Sequence, residues 1–281
     1  MRPLDAALPL AVISLLAGCG DNLTMPPDRD PAADPETPVL ECVPNLDEKI
    51  SRAELRPAIG VPVRYVVSPP GATRAVDLAG DEDEDGELVW DLATDFAGDQ
   101  SLTITPETLE GKWYQASFPD GAFVTPFDRT GDLHSIGLVR DDSLVLLGLA
   151  SSEEDPPEGT TLVVYDPPIT VLRLPVEVGQ GFVSAGQISN GLIRGLPYAG
   201  RDTYEVSVDA MGSLDLLQLT FEQVHRVRTK VTVEPAVGAA VVRHQTSFFA
   251  ECFAEVARAT SKDGETNAEF TEAAELRRLG F

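Results

Sequence analysis

The stretch whose residue types and spacing come nearest to a recognisable chemistry is Asp81-Glu82-Asp83-Glu84-Asp85-Gly86-Glu87-Leu88, and that chemistry is calcium ligation. Carboxylates at alternate positions offer hard oxygen ligands that converge on one cation when a glycine permits a sharp turn. Asp81, Asp83 and Asp85 followed by Gly86 open such a loop. The bidentate acid that should close it is missing: Leu92 holds its place, and Asp91 comes one residue early. Glu87 to Leu92 also reads as a strand, not as the helix that follows a calcium loop. The expectation is a solvated acidic hairpin loop, with Ca²⁺ as a weak candidate and no other metal or cofactor implied.

Nucleophilic and acid–base chemistry finds less support. The chain has three histidines, His134, His225 and His244. Gly181-Phe182-Val183-Ser184-Ala185-Gly186 has one residue too many for a nucleophile elbow. Zinc-ligand spacings and phosphate-cradling glycine loops do not occur. Among 46 acidic residues, two carboxylates close in sequence carry no information about glycosidase-type chemistry. His244 is expected on a core face as a structural histidine, and His134 and His225 as strand residues. Trp90, Trp113 and Tyr114 could stack a sugar, but core packing inside strands is the expectation. Arg226, Arg228 and Lys230 form a basic stripe, expected to be a solvated strand face. Its other uses would be to receive an acidic partner or the protein's own acidic loops. No catalytic residue is assigned, and a non-enzyme is expected.

These residues sit in short runs of Val, Leu, Thr, Phe and Tyr separated by Gly, Pro and Asp clusters, and period-2 alternation recurs from Val61 onward. That pattern predicts an all-β, mostly antiparallel fold with little helix, as a sandwich or a curved half-barrel-like meander. Expected strands include 61–68, 87–92, 101–105, 112–118, 132–139, 143–150, 160–166 and 170–178, and clearer ones in the C-terminal third. A single strand from Val242 to Val256 is longer than usual, which predicts a bend or bulge. Residues 267–281 fit a short helix or a final strand, with the strand preferred. The loop Ser151 to Gly159 is the best candidate joint between two β lobes.

The start of the chain carries an address. Ala6 to Leu16 is apolar but too short to span a bilayer, and reads as the core of a secretory signal. Leu16-Ala17-Gly18-Cys19 resembles the lipobox of bacterial lipoproteins. The resemblance implies removal of residues 1–18, diacylglyceryl modification of Cys19 and acylation of its new amino group. Anchoring to the lipid bilayer would then run through those acyl chains. Gly20 follows the cysteine, where Asp marks inner-membrane retention, so the outer membrane of the bacterial envelope is the expected location. Residues 19–44 read as the lipidated cysteine and a tether, of which 20–38 is rich in Pro and acid and reaches up to about 60 Å at ~3.1 Å per residue. Residues 45–281 read as the β-rich body.

In an oxidising compartment the two remaining thiols, Cys42 and Cys252, are expected to form a disulfide. Lys and Arg total 21 against 46 acidic residues, a net charge of −25 that repels phosphate backbones and excludes nucleic acid as a partner. The expected role is non-catalytic binding or structure at the envelope, with the protein or small-molecule partner unspecified. The alternatives are a periplasmic carrier or chaperone for apolar ligands or lipoproteins, which needs an unfilled apolar concavity, and a secreted hydrolase, which needs converging His and carboxylates.

Overall fold

The structure, a computed structural model, describes residues 42–280. Cys19, the signal and the tether up to residue 41 lie outside the described residues. The described residues form seventeen strands. The first six are β1 (Val63–Val67), β2 (Arg74–Ala75), β3 (Asp81–Glu82), β4 (Leu88–Asp91), β5 (Gln100–Ile104) and β6 (Glu107–Thr108). A meander follows of β7 (Phe123–Pro126), β8 (Leu133–Val139), β9 (Ser143–Ser151), β10 (Leu162–Arg173), β11 (Gly181–Ile193), β12 (Leu196–Asp215), β13 (Thr220–Pro235), β14 (Val241–Ala250) and β15 (Ala254–Thr260). The chain ends with β16 (Glu272–Ala273) and β17 (Glu275–Leu279). The fold is all-β, and the one helical element among the described residues is the 3₁₀ turn Gln115–Ser117.

Hydrogen bonding orders the main sheet β5-β1-β17-β15-β14-β13-β12-β11-β10-β9-β8-β7-β6. Neighbours along this path are antiparallel, while β4 joins β12 in parallel, Gly212 opposite Leu88. The two ends of the order, β5 and β6, are separated in sequence only by Thr105 and Pro106. Three peptide steps span at most about 11 Å. The sheet therefore curls until its edges meet. Arg129, in the β7–β8 loop, bridges the remaining distance: its guanidinium pairs with Glu275 of β17 and donates to the Ser68 carbonyl after β1.

Period-2 alternation gives the sheet two apolar faces. Val206, Val208, Val227 and Phe249 of one face pack with Ile50 and Leu55 of the N-terminal segment and with Leu172 and Val176. The opposite face holds Ala210, Val224, Phe248, Ala257, Ala259 and Leu276 under a strap, Val76 to Leu92, led by Trp90. The stripe expected to be wet is partly covered, Arg226 by this strap. Arg226 is only 8% exposed and donates to the Leu78 and Ala79 carbonyls and to Asp209, over the Trp90 ring. Arg228 pairs with Asp209 and Glu269, and Lys230, the most exposed of the three, with Glu205. The strap's irregular backbone has carbonyls without sheet partners, and buried guanidiniums satisfy them.

Four other expectations are corrected. Residues 112–118 form successive turns, with Lys112, Gln115 and Ser117 amides donating three residues back, in place of a strand. This lets Tyr114 and Phe118 reach the same core cluster as Val124, Ile136 and Val145, which strand alternation would also place together, while Trp113 packs beside them. The expected strands 160–166 and 170–178 are largely one strand, β10. Val242 to Val256 is two strands: β14 and β15 form a hairpin through Glu251, Cys252 and Phe253. Here Cys252 and Ala254 adopt φ of 66° and 56°, left-handed values without a glycine to announce them. Finally β11, whose Gly, Ser, Gln and Asn content hid it, pairs along β12 from Gly181 to Ile193. Residues 275–279 are the preferred final strand. The loop after Ser151 connects β9 to β10, which pair directly, Leu162 with Ala150.

Candidate functional site

The β14–β15 turn lies against the segment that enters the fold. Cys252 is disulfide-bonded to Cys42, 210 residues away. One carboxylate oxygen of Glu251, Oε2, accepts from the amides of Asn45 (2.7 Å) and Leu46 (2.9 Å). The Cys252 amide donates to the Glu54 carbonyl, and Nε2 of His225 bonds to the Glu48 carbonyl at 3.1 Å. A carbonyl only accepts, so Nε2 carries the proton. Burial pushes the His225 pKa down, so the ring is neutral at neutral pH and its Nδ1 bears a lone pair.

Antiparallel order brings several strand ends to this same edge of the sheet. They are the start of β1, the ends of β5 and β17, the β12–β13 turn and the β14–β15 turn. Between them opens a groove of about 980 Å³, walled by Leu46, Val63, Leu219, Phe221, Phe253 and Leu279. Phe221 and Phe253 meet edge to face at 5.1 Å, yet Phe253 remains 49% exposed and Leu46 46%. Pockets that take small molecules run to about 300–1,000 Å³ and are mostly apolar with a few placed polar groups. The polar groups in this lining include Glu222, Glu251 and Arg64. A second concavity, about 350 Å³, is lined among others by Arg52, Arg56, Glu110 and Asp120, and mixes both charges without an apolar floor of comparable extent.

The residues singled out from sequence lie elsewhere. Asp83 turns its Oδ1 onto the amides of Asp85 and Glu87, so the oxygen a cation would need closes its own hairpin turn. Among the described residues no three of His, Cys, Asp and Glu are placed to hold a metal ion. His134 bonds to the buried Tyr114 hydroxyl at 2.7 Å. His244, expected in the core, is half-buried, opposite the half-buried Lys230 on the neighbouring strand. The three rings thus have separate surroundings, and no described ring bonds to a carboxylate or serine. Trp90 and Trp113 bond through their indole nitrogens to the Ala79 and Ser151 carbonyls. Of the two phenylalanines that flank the β14–β15 turn, Phe249 is in the core and Phe253 is at the groove. The other groove residues come from loops and strand ends, where no periodicity marks them. No family model matches the chain, and neither does any curated protein or solved structure.

Proposed function

We propose that this is a bacterial envelope lipoprotein, anchored in the outer membrane through acyl chains on Cys19, whose body binds an apolar ligand non-catalytically in the groove beside its disulfide. The groove carries the reading: about 980 Å³ with apolar walls and two partly exposed phenylalanines, left unfilled by the side chains of the described residues. Burying apolar surface contributes about 25 cal/mol per Å², so such a surface gains from an apolar occupant. Support for the address comes from Leu16-Ala17-Gly18-Cys19 and from the Cys42–Cys252 bond, which belongs to an oxidising compartment. The groove also adjoins the point where the tether would join the body, since Pro44 and Leu46 are part of its wall.

Titration of the full chain with the neutral fluorophore N-phenyl-1-naphthylamine tests this. A saturable rise in fluorescence at one probe per chain, weakened at least several-fold by Phe253→Ser, is expected. A linear, unsaturable signal in the native protein would refute the groove as a binding site.

A further inference from the structure

The groove's charges specify the occupant's polar end. Its lining holds two carboxylates, Glu222 and Glu251, against one guanidinium, Arg64. Glu251 is 4% exposed, and while its Oε2 accepts two amides, its Oε1 is buried with no hydrogen-bond partner among the described residues. A buried carboxylate oxygen without a donor is costly, and the cost is relieved by whatever brings one. His225 does not: its proton is committed to the Glu48 carbonyl, leaving Nδ1 an acceptor. The chain as a whole, these groups included, carries −25, a field that draws cations and opposes anions.

We infer that the groove takes a cationic amphiphile, an apolar chain ending in an ammonium group, with the chain against Phe221, Phe253, Leu46 and Leu279 and the ammonium donating to Glu251. This rests on the binding role proposed above and adds the chemical class of the ligand. An ammonium has three donors and no acceptor, which suits one buried carboxylate oxygen. A charge-assisted bond formed away from water is stronger than a neutral one. Arg64 stands on β1, and in the opposite case it would receive an anionic head.

The test is a matched series of twelve-carbon probes, dodecylammonium, dodecanol and dodecanoate. Each is titrated calorimetrically into the purified full chain below its micelle concentration. Dodecylammonium is expected to bind about tenfold or more tighter than dodecanol, and dodecanoate weakest. Glu251→Gln keeps an acceptor for the Asn45 and Leu46 amides and should remove most of the ammonium's advantage. The exposed Glu222→Gln, which leaves the turn's contacts intact, should remove a smaller part. Equal binding of ammonium and alcohol in the native protein would overturn the inference while leaving an apolar binding site. Tightest binding of dodecanoate, lost in Arg64→Gln, would overturn it in favour of an anionic ligand. Binding of none of the three would remove both the inference and the proposed function. A dimer that buries the groove and persists with every probe would also overturn it, by placing a second copy there.

Discussion

Arg278 and Arg226 show how single side chains hold this fold. Arg278 is fully buried and donates to the Leu92 and Thr94 carbonyls and to Asp99, which also binds Arg74 at 2.6 Å. Removing the guanidinium strands the Leu92 and Thr94 carbonyls and weakens the pairing of a buried carboxylate. Arg278→Met should therefore cost about 3 kcal/mol or more in denaturant unfolding. Lys230→Ala, whose pair with Glu205 is 40% and 47% exposed, should cost no more than about 1 kcal/mol. The histidines set a pH dependence. Burial lowers the pKa of His134, His225 and His244 below the ordinary 6.5. Below that value the unfolded chain binds protons that the fold refuses. Stability contributed by neutral imidazole is therefore complete above pH 6.5 and is lost as pH falls from there toward the folded values. The urea midpoint should fall between pH 7.5 and 5.5, less steeply in His225→Gln, and an unchanged midpoint would contradict this.

At the scale of elements, the β14–β15 hairpin and the strap decide the architecture. The disulfide ties this hairpin to the chain's entry point across 210 residues, for which the chain-entropy account gives a ceiling of about 5 kcal/mol. The paired substitution Cys42→Ala and Cys252→Ala should lower unfolding free energy by about 2–5 kcal/mol and loosen Asn45 to Glu48, read as faster amide exchange there. The strap needs Gly212. A Cβ there would lie 2.1 Å from the Leu88 carbonyl oxygen, which is backbone and cannot swing aside. Gly212→Ala should cost about 2 kcal/mol and speed exchange across β4. The long alternating runs made much of β12, β13 and β14 legible in sequence, though not where β12 and β14 end. The turn at Glu251 to Phe253 was not, because Cys252 and Ala254 adopt left-handed angles that tertiary contacts enforce without Gly or Asn. The buried arginines were misread for a related reason. Alternation tells which residues share a face, and here both faces are covered, one by a segment with no period of its own.

For the whole molecule, the all-β class followed from period 2, and the disulfide from cysteine count and the expected compartment. The curl was not legible, since it rests on pairings that put β5 and β6, neighbours in sequence, at opposite ends of the sheet order. The groove was not legible either, being assembled from the ends of strands far apart in the chain. The address makes its own prediction: cells given radiolabelled palmitate should label this chain and not its Cys19→Ser form. The central claim, that the body carries an apolar ligand beside its disulfide, is tested most directly by native mass spectrometry of the full chain purified gently from cells that produce it. The account predicts an added mass of a few hundred daltons at one per chain, about the size that fills such a groove, and its loss in Phe253→Ser. Native chains arriving bare, or carrying the same mass after Phe253→Ser, would contradict it.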